Sequence, residues 1–407
     1  MSRVKLTTGS VCAAQGFRAA GVAAGIKPSG HLDVTLIASD RPAAVAAVFT
    51  TNRICAAPVQ VSREHVRGGV ARAIVVNAGN ANACTGEQGL ADAREMARFT
   101  AEVLSAEGDQ IPPEQIVVCS TGIIGRPLPL EKVEAGVRDA AGVLSPTGSN
   151  RAARAIMTTD TRPKECAVHA DLPSGQFSIG GICKGSGMIA PNMATMLAFL
   201  TTDAEIAPEL LQTLLGRVAD QTFNCVTVDG DTSTNDTLVV LANGASGVRI
   251  LHGTDEFRAF KLGLNQVCRR LSRELARDGE GATKLVEVRI RGARTVSDAR
   301  KAARSVANSP LVKTALFGND PNWGRILCAV GYSGAQVDPN KVSLWVAGVQ
   351  LVCDGTPVAF DVTAASAAMK VPKLLLEVNL GKGSRSASVW TCDLSYDYVR
   401  INAEYTT

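Results

Sequence analysis

Lys184-Gly185-Ser186-Gly187-Met188-Ile189-Ala190-Pro191-Asn192-Met193-Ala194-Thr195-Met196-Leu197-Ala198-Phe199-Leu200 lies near the middle of a chain of 407 residues and joins two unlike pieces. A glycine-rich turn follows a lysine, and an apolar run from Met196 to Leu200 then begins behind a hydroxyl residue. Read locally, this is a loop entering a buried strand, with Thr195 as its β-branched opener. A second reading gives the same residues chemistry. If the chain cuts its own Ala194–Thr195 bond, Thr195 becomes an N-terminal residue that carries hydroxyl and α-amine together. The amine can take the hydroxyl proton as the oxygen attacks a carbonyl. Gly187, Pro191 and the small Ala194 suit the tight backbone approach that such a cut requires.

Outward from this stretch, strand-like and helix-like periodicities alternate. Asp33–Ser39 and Ala71–Asn77 read as buried strands, and Leu90, Ala93, Met96 and Val103 recur at helical spacing. A strand over Gln115–Cys119 runs directly into Ser120-Thr121-Gly122. Helices are expected at Leu130–Leu144 and Ser149–Met157, and a hairpin at Glu165–Lys184. Beyond Thr195 come the strand to Leu200, a helix with Leu211, Leu214 and Val218 on one side, a strand at Leu238–Leu241 and a long amphipathic helix at Glu256–Arg277. Further strands are expected at Leu285–Arg291, Val342–Ala347, Leu374–Leu380 and Ala387–Cys392. Without repeats, low-complexity tracts or an obvious linker, the pattern says α and β mixed and marks no independent domain boundary.

Bulk properties exclude several classes. The 42 Lys and Arg nearly balance the 38 Asp and Glu and are spread along the chain, which argues against nucleic acid and for a small charged metabolite. Eleven cysteines, an odd number and scattered singly, accompany four histidines. That pattern suggests neither a disulfide framework nor a metal site. No apolar run approaches a membrane span. The first thirty residues have the basic, acid-free composition of a transit peptide, but Gln15 and Arg18 interrupt any signal-type core, so a cytoplasmic protein is expected. There is no Gly-x-x-x-x-Gly-Lys-Ser/Thr loop. Arg18-Ala-Ala-Gly21-Val-Ala23 fits the pattern with which one acetyltransferase superfamily cradles the pyrophosphate of acetyl-CoA, but that loop needs a strand before it and a helix after it.

The segment Gly181 to Leu197 resembles the self-cleavage region of the ornithine acetyltransferases, the glutamate N-acetyltransferases of arginine biosynthesis. The likeness extends through Gly16–Lys27, Asn77–Gly86 (Asn-Ala-Gly-Asn-Ala-Asn-Ala-Cys-Thr-Gly), Ser120–Gly125 and Met157–Thr161. It continues through Gly230–Thr237 (Gly-Asp-Thr-Ser-Thr-Asn-Asp-Thr), Gly279–Lys284, Leu311–Gly318 and the tail Ile401–Thr407. The shared order of these motifs over nearly the whole chain is what persuades.

The resemblance implies an α+β fold, a helix/sheet/sheet/helix sandwich of the N-terminal-nucleophile-like type. It implies cleavage into residues 1–194 and 195–407, which form one intertwined catalytic unit and pair as an α2β2 heterotetramer. Thr195 is then the nucleophile, and Thr121 and Gly122, otherwise a plain turn, supply the oxyanion donors. Thr158, Lys184, Glu280, Asn402 and Thr407 contact substrate, with Lys184 also depressing the amine pKa below its usual ~7.7–8.0. From the residues alone Lys184 would be a solvated lysine, Thr158 a helix-end hydroxyl, Asp160 a turn acid and Glu280 an exposed loop carboxylate; Asn77 and Asn80 are read as structural. The implied reaction moves acetyl from N2-acetyl-L-ornithine to L-glutamate without metal or cofactor, and leaves acetyl-CoA open as a second donor. Two other readings stay open: a self-processing amidase or aminopeptidase using water as acceptor, and a non-catalytic metabolite-binding protein with an intact Ala194–Thr195 bond.

Overall fold

The computed structural model describes residues 3–106, 108–190 and 196–404. Its larger sheet contains β1 (Arg3–Thr7), β2 (Phe17–Val22), β3 (Val34–Phe49), β4 (Val70–Asn80) and β5 (Ile116–Ile123), then β6 (Lys164–Leu172), β7 (Gly175–Lys184), β8 (Leu197–Thr202) and β9 (Thr237–Ala242). The strand order is β1-β6-β7-β8-β9-β3-β4-β5, with β2 added beside β3.

The long strand β3 is the joint. Residues 34–39 pair with β2 and residues 44–49 pair with β9, and the register against β4 slips between Ala38 and Ala43. The charged Asp40-Arg41 and Pro42 fall at this irregularity, which is why the sequence reads as a strand ending at Ser39. The sheet thereby divides into two layers whose facing sides share one core. Ile37 of β3, Ile74 and Val76 of β4, Val117 and Cys119 of β5 meet Leu197 and Phe199 of β8 and Val239 and Leu241 of β9. Alternate residues face outward, as a period of two demands. Leu36, Val75 and Val118 pack under α1 (Ala57–Val66), α2 (Gly86–Leu104) and α3 (Leu130–Gly142). Ala198, Leu200 and Val240 pack under α5 (Pro208–Ala219) and α6 (Asp255–Arg277), while α4 (Ser149–Ala155) adds Ala152 and Ala153 to the shared middle core. Helix, sheet, sheet, helix is therefore the layering, as the resemblance implied.

A smaller mixed sheet follows, in the order β13-β12-β11-β14-β10-β15, from β10 (Leu285–Ala293), β11 (Ser343–Val346), β12 (Val349–Cys353), β13 (Thr356–Pro357), β14 (Lys373–Asn379) and β15 (Arg385–Cys392). It carries α7 (Val296–Asn308), α8 (Pro310–Phe317) and α9 (Trp323–Gly331) on its own core, with α10 (Val362–Ala368) nearby. Helix α7 is absent from the periodicity reading because its buried stripe is largely alanine, Ala299, Ala302, Ala303 and Ala307, and α8 and α9 are too short to show a repeating period. The last described element is α11 (Tyr396–Glu404), which has no buried residue.

Candidate active site

Strands from either side of the Ala194–Thr195 bond are neighbours: β7, ending at Lys184, pairs antiparallel with β8, which opens at Leu197. Ala194 and Thr195 themselves, and Thr407, lie outside the described residues. The backbone on both sides of the 191–195 segment is fixed by three carboxylates, the buried Asp160 and Asp236 and the half-buried Asp229. Asp160 accepts the N–H of Gly185 at 2.7 Å. Asp229 accepts those of Met188 at 2.6 Å and Ile189 at 2.9 Å. Asp236 accepts that of Met196 at 2.8 Å. Met188 sits in the left-handed region at φ 56°, where a non-glycine residue is strained.

A cleft beside Gly187 and Met188 is lined by Thr121, Gly122, Thr158, Lys184, Glu280 and Asn402. Every site residue expected from the sequence and lying among the described residues is thus brought to one place. Thr121 and Gly122 end β5, where that strand runs parallel to β4. The close approach explains the Gly-Asn turn: a Cβ on Gly122, whose φ is 131°, would lie 2.4 Å from the backbone of Gly79. Asn77 and Asn80 are structural, as read. The Ser120 hydroxyl donates to Asn77 Oδ1 at 2.5 Å, and Asn80 Nδ2 donates to the carbonyls of Arg126 and Pro127.

Lys184 is not a solvated lysine. It is 3 % exposed, and its Nζ donates to Thr121 Oγ1 at 3.2 Å. Burial pushes its pKa below the ordinary lysine value; Asp160 opposes that shift and Lys164 adds to it. Asp160 is likewise more than a turn acid. Its Oδ1 accepts from Lys164 Nζ at 2.6 Å and its Oδ2 from the N–H of Thr158 at 3.0 Å. Burial alone would raise its carboxyl, but the ammonium groups of Lys164 and Lys184 hold it down to about 2. Lys164 also bridges to Asp278 at 2.5 Å.

Glu280 is buried rather than an exposed loop acid. Its N–H donates to the carbonyl of Ser186, and its carboxylate accepts from Asn402 Nδ2 at 2.8 Å. Gly187 makes room for it, since a Cβ there would meet Glu280 Oε2 at 2.3 Å. Gly281, with φ 68°, similarly admits the start of α11, and Ser395 fastens that helix by donating to the Gly281 carbonyl at 2.6 Å. The cleft therefore holds a cation and a hydroxyl on one wall and a carboxylate with an amide on the other. Such a pairing can bind the charged ends of an amino acid while donors face a reacting carbonyl.

Sequence reasoning left three groups without a role. Asn235 Nδ2 donates to the carbonyls of Ala81 (2.7 Å) and Ser120 (2.9 Å), holding the end of β5 in place. Asp229 is raised to about 6, mainly by burial, and Asp236 is raised well above a free carboxylate for the same reason. All three lie in or beside Gly230–Thr237, whose density of Asp, Asn, Ser and Thr between apolar runs was the signal that could have found them. Arg18-Ala-Ala-Gly21-Val-Ala23, by contrast, falls largely within β2, with Arg18 paired to Asp40 at 2.8 Å. It is not the strand–loop–helix that a pyrophosphate cradle needs. Among the described residues no cluster of His, Cys, Asp or Glu is arranged to hold a metal, and no helix is long and apolar enough to cross a membrane.

The two-sheet sandwich, with a hydroxyl-and-lysine cleft beside the end of β7, has the layered α+β architecture of the N-terminal-nucleophile-like class. Residues 18–407 match the model of the ArgJ family, and the chain belongs to that family. It is 53 % identical over 402 residues to the arginine biosynthesis bifunctional protein ArgJ of Symbiobacterium thermophilum, covering 98 % of this chain and 99 % of the relative. The protein of the same name from Geobacter sulfurreducens is 48 % identical over 395 residues, covering 97 % and 99 %. Among solved structures, the ArgJ protein of Bacillus halodurans is 41 % identical with a TM-score of 0.49, over 50 % of this chain and 97 % of that one. An ornithine acetyltransferase from Mycobacterium tuberculosis, complexed with ornithine, is 42 % identical with a TM-score of 0.44, over 46 % and 98 %.

Proposed function

We propose that this chain cleaves itself between Ala194 and Thr195 and then transfers the acetyl group of N2-acetyl-L-ornithine to L-glutamate through an ester on Thr195. The observation that carries the reading is the convergence of Thr121, Lys184, Glu280 and Asn402 on one cleft beside the junction of β7 with β8. In the precursor, Thr195 Oγ attacks the Ala194 carbonyl, and water then opens the resulting ester to free the α-amine. In turnover the amine takes the hydroxyl proton, Oγ attacks the acetyl carbonyl, and the oxyanion is met by the Thr121 hydroxyl and the Gly122 N–H. The buried ammonium of Lys184 keeps the amine in its neutral, basic form. Glu280 and Asn402, with the tail through Thr407, hold the amino-acid part of the substrate, and Thr158 completes that wall. Ornithine leaves with the proton, glutamate takes its place, and its amine collects the acetyl group. One amide replaces a similar one, so no energy input is required. Acetyl-CoA serves as a second donor, in keeping with the name bifunctional carried by the relatives. The cleaved halves stay together, two copies of each forming an α2β2 assembly in the cytoplasm.

The test is mass spectrometry of the intact fragments with N2-acetylornithine, before and after glutamate. Two chains should be found, with one acetyl group on the fragment beginning at Thr195 that glutamate discharges. Steady release of free acetate without glutamate would identify a hydrolase instead, and an uncut active chain would sink the mechanism.

A further inference from the structure

Outside the acyl-transfer cleft, α6 turns a cationic face toward β1 and the start of β10. Arg269, Arg270 and Arg273 of α6 line a second cleft with Lys373 of β14, and Glu274 is its one carboxylate. That carboxylate is already shared by Arg162 at 3.5 Å, Arg270 at 3.7 Å and Arg277 at 3.7 Å. Arg269 and Arg273 instead lie over the ring of Trp390, at 5.4 and 5.8 Å from its centre. Glu287, the carboxylate whose charge Arg273 favours, is committed to Arg289 at 2.9 Å. Among the described residues neither Arg269, Arg273 nor Lys373 takes part in an ion pair. The cleft thus carries excess positive charge on groups oriented by stacking rather than by carboxylates.

Apart from Gln266, its other lining is apolar. Val4, Leu6 and Leu285 form the floor, and Leu6 is 70 % exposed. Phosphate alone would gain nothing from that floor, whereas a flat heterocycle carrying phosphates would use both floor and rim. The groove also leads somewhere. Leu285 is shared with a third cleft lined by Thr161, Arg162, Asp278, Gly279, Gly281 and Ile401. The same three segments give Thr158, Thr159, Glu280 and Asn402 to the acyl-transfer cleft. The third cleft and the acyl-transfer cleft are therefore lined by neighbouring residues of the same three segments.

We infer that this groove binds the phosphate-bearing nucleotide end of a thioester acyl donor of the coenzyme A type, whose acyl arm runs past α11 toward the acyl-transfer cleft. The inference rests on the reading that such a thioester is a second donor. In that half-reaction Thr195 Oγ forms a bond to the thioester carbonyl and the C–S bond breaks. The hydroxyl proton, carried by the α-amine, goes to the departing thiolate. Glutamate then forms the C–N bond and returns a proton to Thr195 as the ester C–O bond breaks.

The test uses the full cleaved protein with Arg269→Gln, Arg273→Gln and Lys373→Gln variants, which stand apart from the catalytic cleft. Acetylornithine–glutamate exchange should stay within about twofold of wild type, which certifies folding. The KM for acetyl-CoA should rise by roughly tenfold for each phosphate-binding charge removed. Binding of adenosine 3′,5′-bisphosphate, followed by calorimetry, should weaken in parallel. Unchanged nucleotide binding in the variants overturns the inference, as does inorganic phosphate competing as well as the bisphosphate. A wild-type enzyme that binds the bisphosphate through these residues yet never transfers acetyl from acetyl-CoA would instead remove the second-donor reading and leave the nucleotide groove standing.

Discussion

Thr121→Val removes one hydroxyl from the reaction cleft while keeping the branched shape at the end of β5. The ammonium of Lys184 can only donate, so at 3.2 Å it uses Thr121 Oγ1 as an acceptor. The hydroxyl hydrogen is thereby left to point elsewhere, and the cleft is where an oxyanion would need it. Loss of one such donor costs on the order of 10²–10³ in kcat, about 3–4 kcal/mol, because it acts on charge that develops in the transition state. KM should change much less. The substitution also leaves a buried ammonium short of one acceptor, an effect of about 1–3 kcal/mol on stability. The two consequences are separable. kcat and KM for acetylornithine–glutamate exchange report the first, and the thermal unfolding midpoint reports the second. Thr121→Ser restores the hydroxyl and should recover most of both. A Thr121→Val enzyme with wild-type kcat and a lowered midpoint would refute the oxyanion role and leave Thr121 as a rest for Lys184. Self-cleavage should be scored independently on a denaturing gel, since it forms its oxyanion at Ala194 rather than on a bound substrate.

Gly122→Ala would place a Cβ 2.4 Å from the Gly79 backbone at φ 131°, so β4 and β5 must part and kcat should fall at least as far as in Thr121→Val, with a lower unfolding midpoint. Glu280→Gln keeps an acceptor for Asn402 but removes the charge facing the substrate ammonium. Acetylation of Thr195 should slow about tenfold or more, while a gel still shows two fragments, since a hydrogen bond to a charged group is worth ~1.5–3 kcal/mol. Asp229, raised to about 6, binds its proton more tightly in the folded than in the unfolded chain. Its contribution to stability is therefore full below its unfolded value and is lost as pH rises through about 6. The hydrogen bonds it accepts from Met188 and Ile189 follow the opposite course, being strongest when it is charged. Precursor self-cleavage should accordingly fall as pH drops below about 6, and Asp229→Asn should abolish that pH limb; a limb that persists unchanged assigns it to another group.

The parts of this molecule legible in the sequence were those whose local pattern matches their tertiary role. Leu197 to Leu200 alternates between two cores, and α6 keeps one apolar face over its length, so both were read within a residue or two. Strand β3 was read only to Ser39, because Asp40-Arg41-Pro42 looks like an ending and only the pairing with β9 shows that the strand continues. The site residues stand apart from both cases. Thr121, Lys184 and Glu280 have ordinary local contexts, and resemblance singled them out. What no local reading supplies is their burial: Lys184 acquires its electrostatics from Asp160, Lys164 and Asp236, which are distant in sequence or had no assigned role. Gly187 and Gly122 illustrate the same limit. Each is glycine because of an atom contributed by another segment, Glu280 in one case and Gly79 in the other.

The division of labour follows from the layering. Thr121 and Gly122 end β5 in one sheet, whereas the residues after Thr195 open β8 in the other, and the two sheets touch through Val117 and Cys119 on one side and Leu197 and Phe199 on the other. Because packed interiors transmit small displacements instead of absorbing them, the spacing between the end of β5 and the start of β8 is set by that middle core. Lys184 spans the gap: it ends β7, pairs with Leu197 of β8, and reaches Thr121 with its Nζ. One side chain therefore ties the strand that precedes the cleavage segment to the donor wall across the cleft. A buried lysine with a depressed pKa is costly to keep, and its place between the two sheets gives that cost a function. It ties the end of β5 to the β7–β8 pair at the point where the cleft opens.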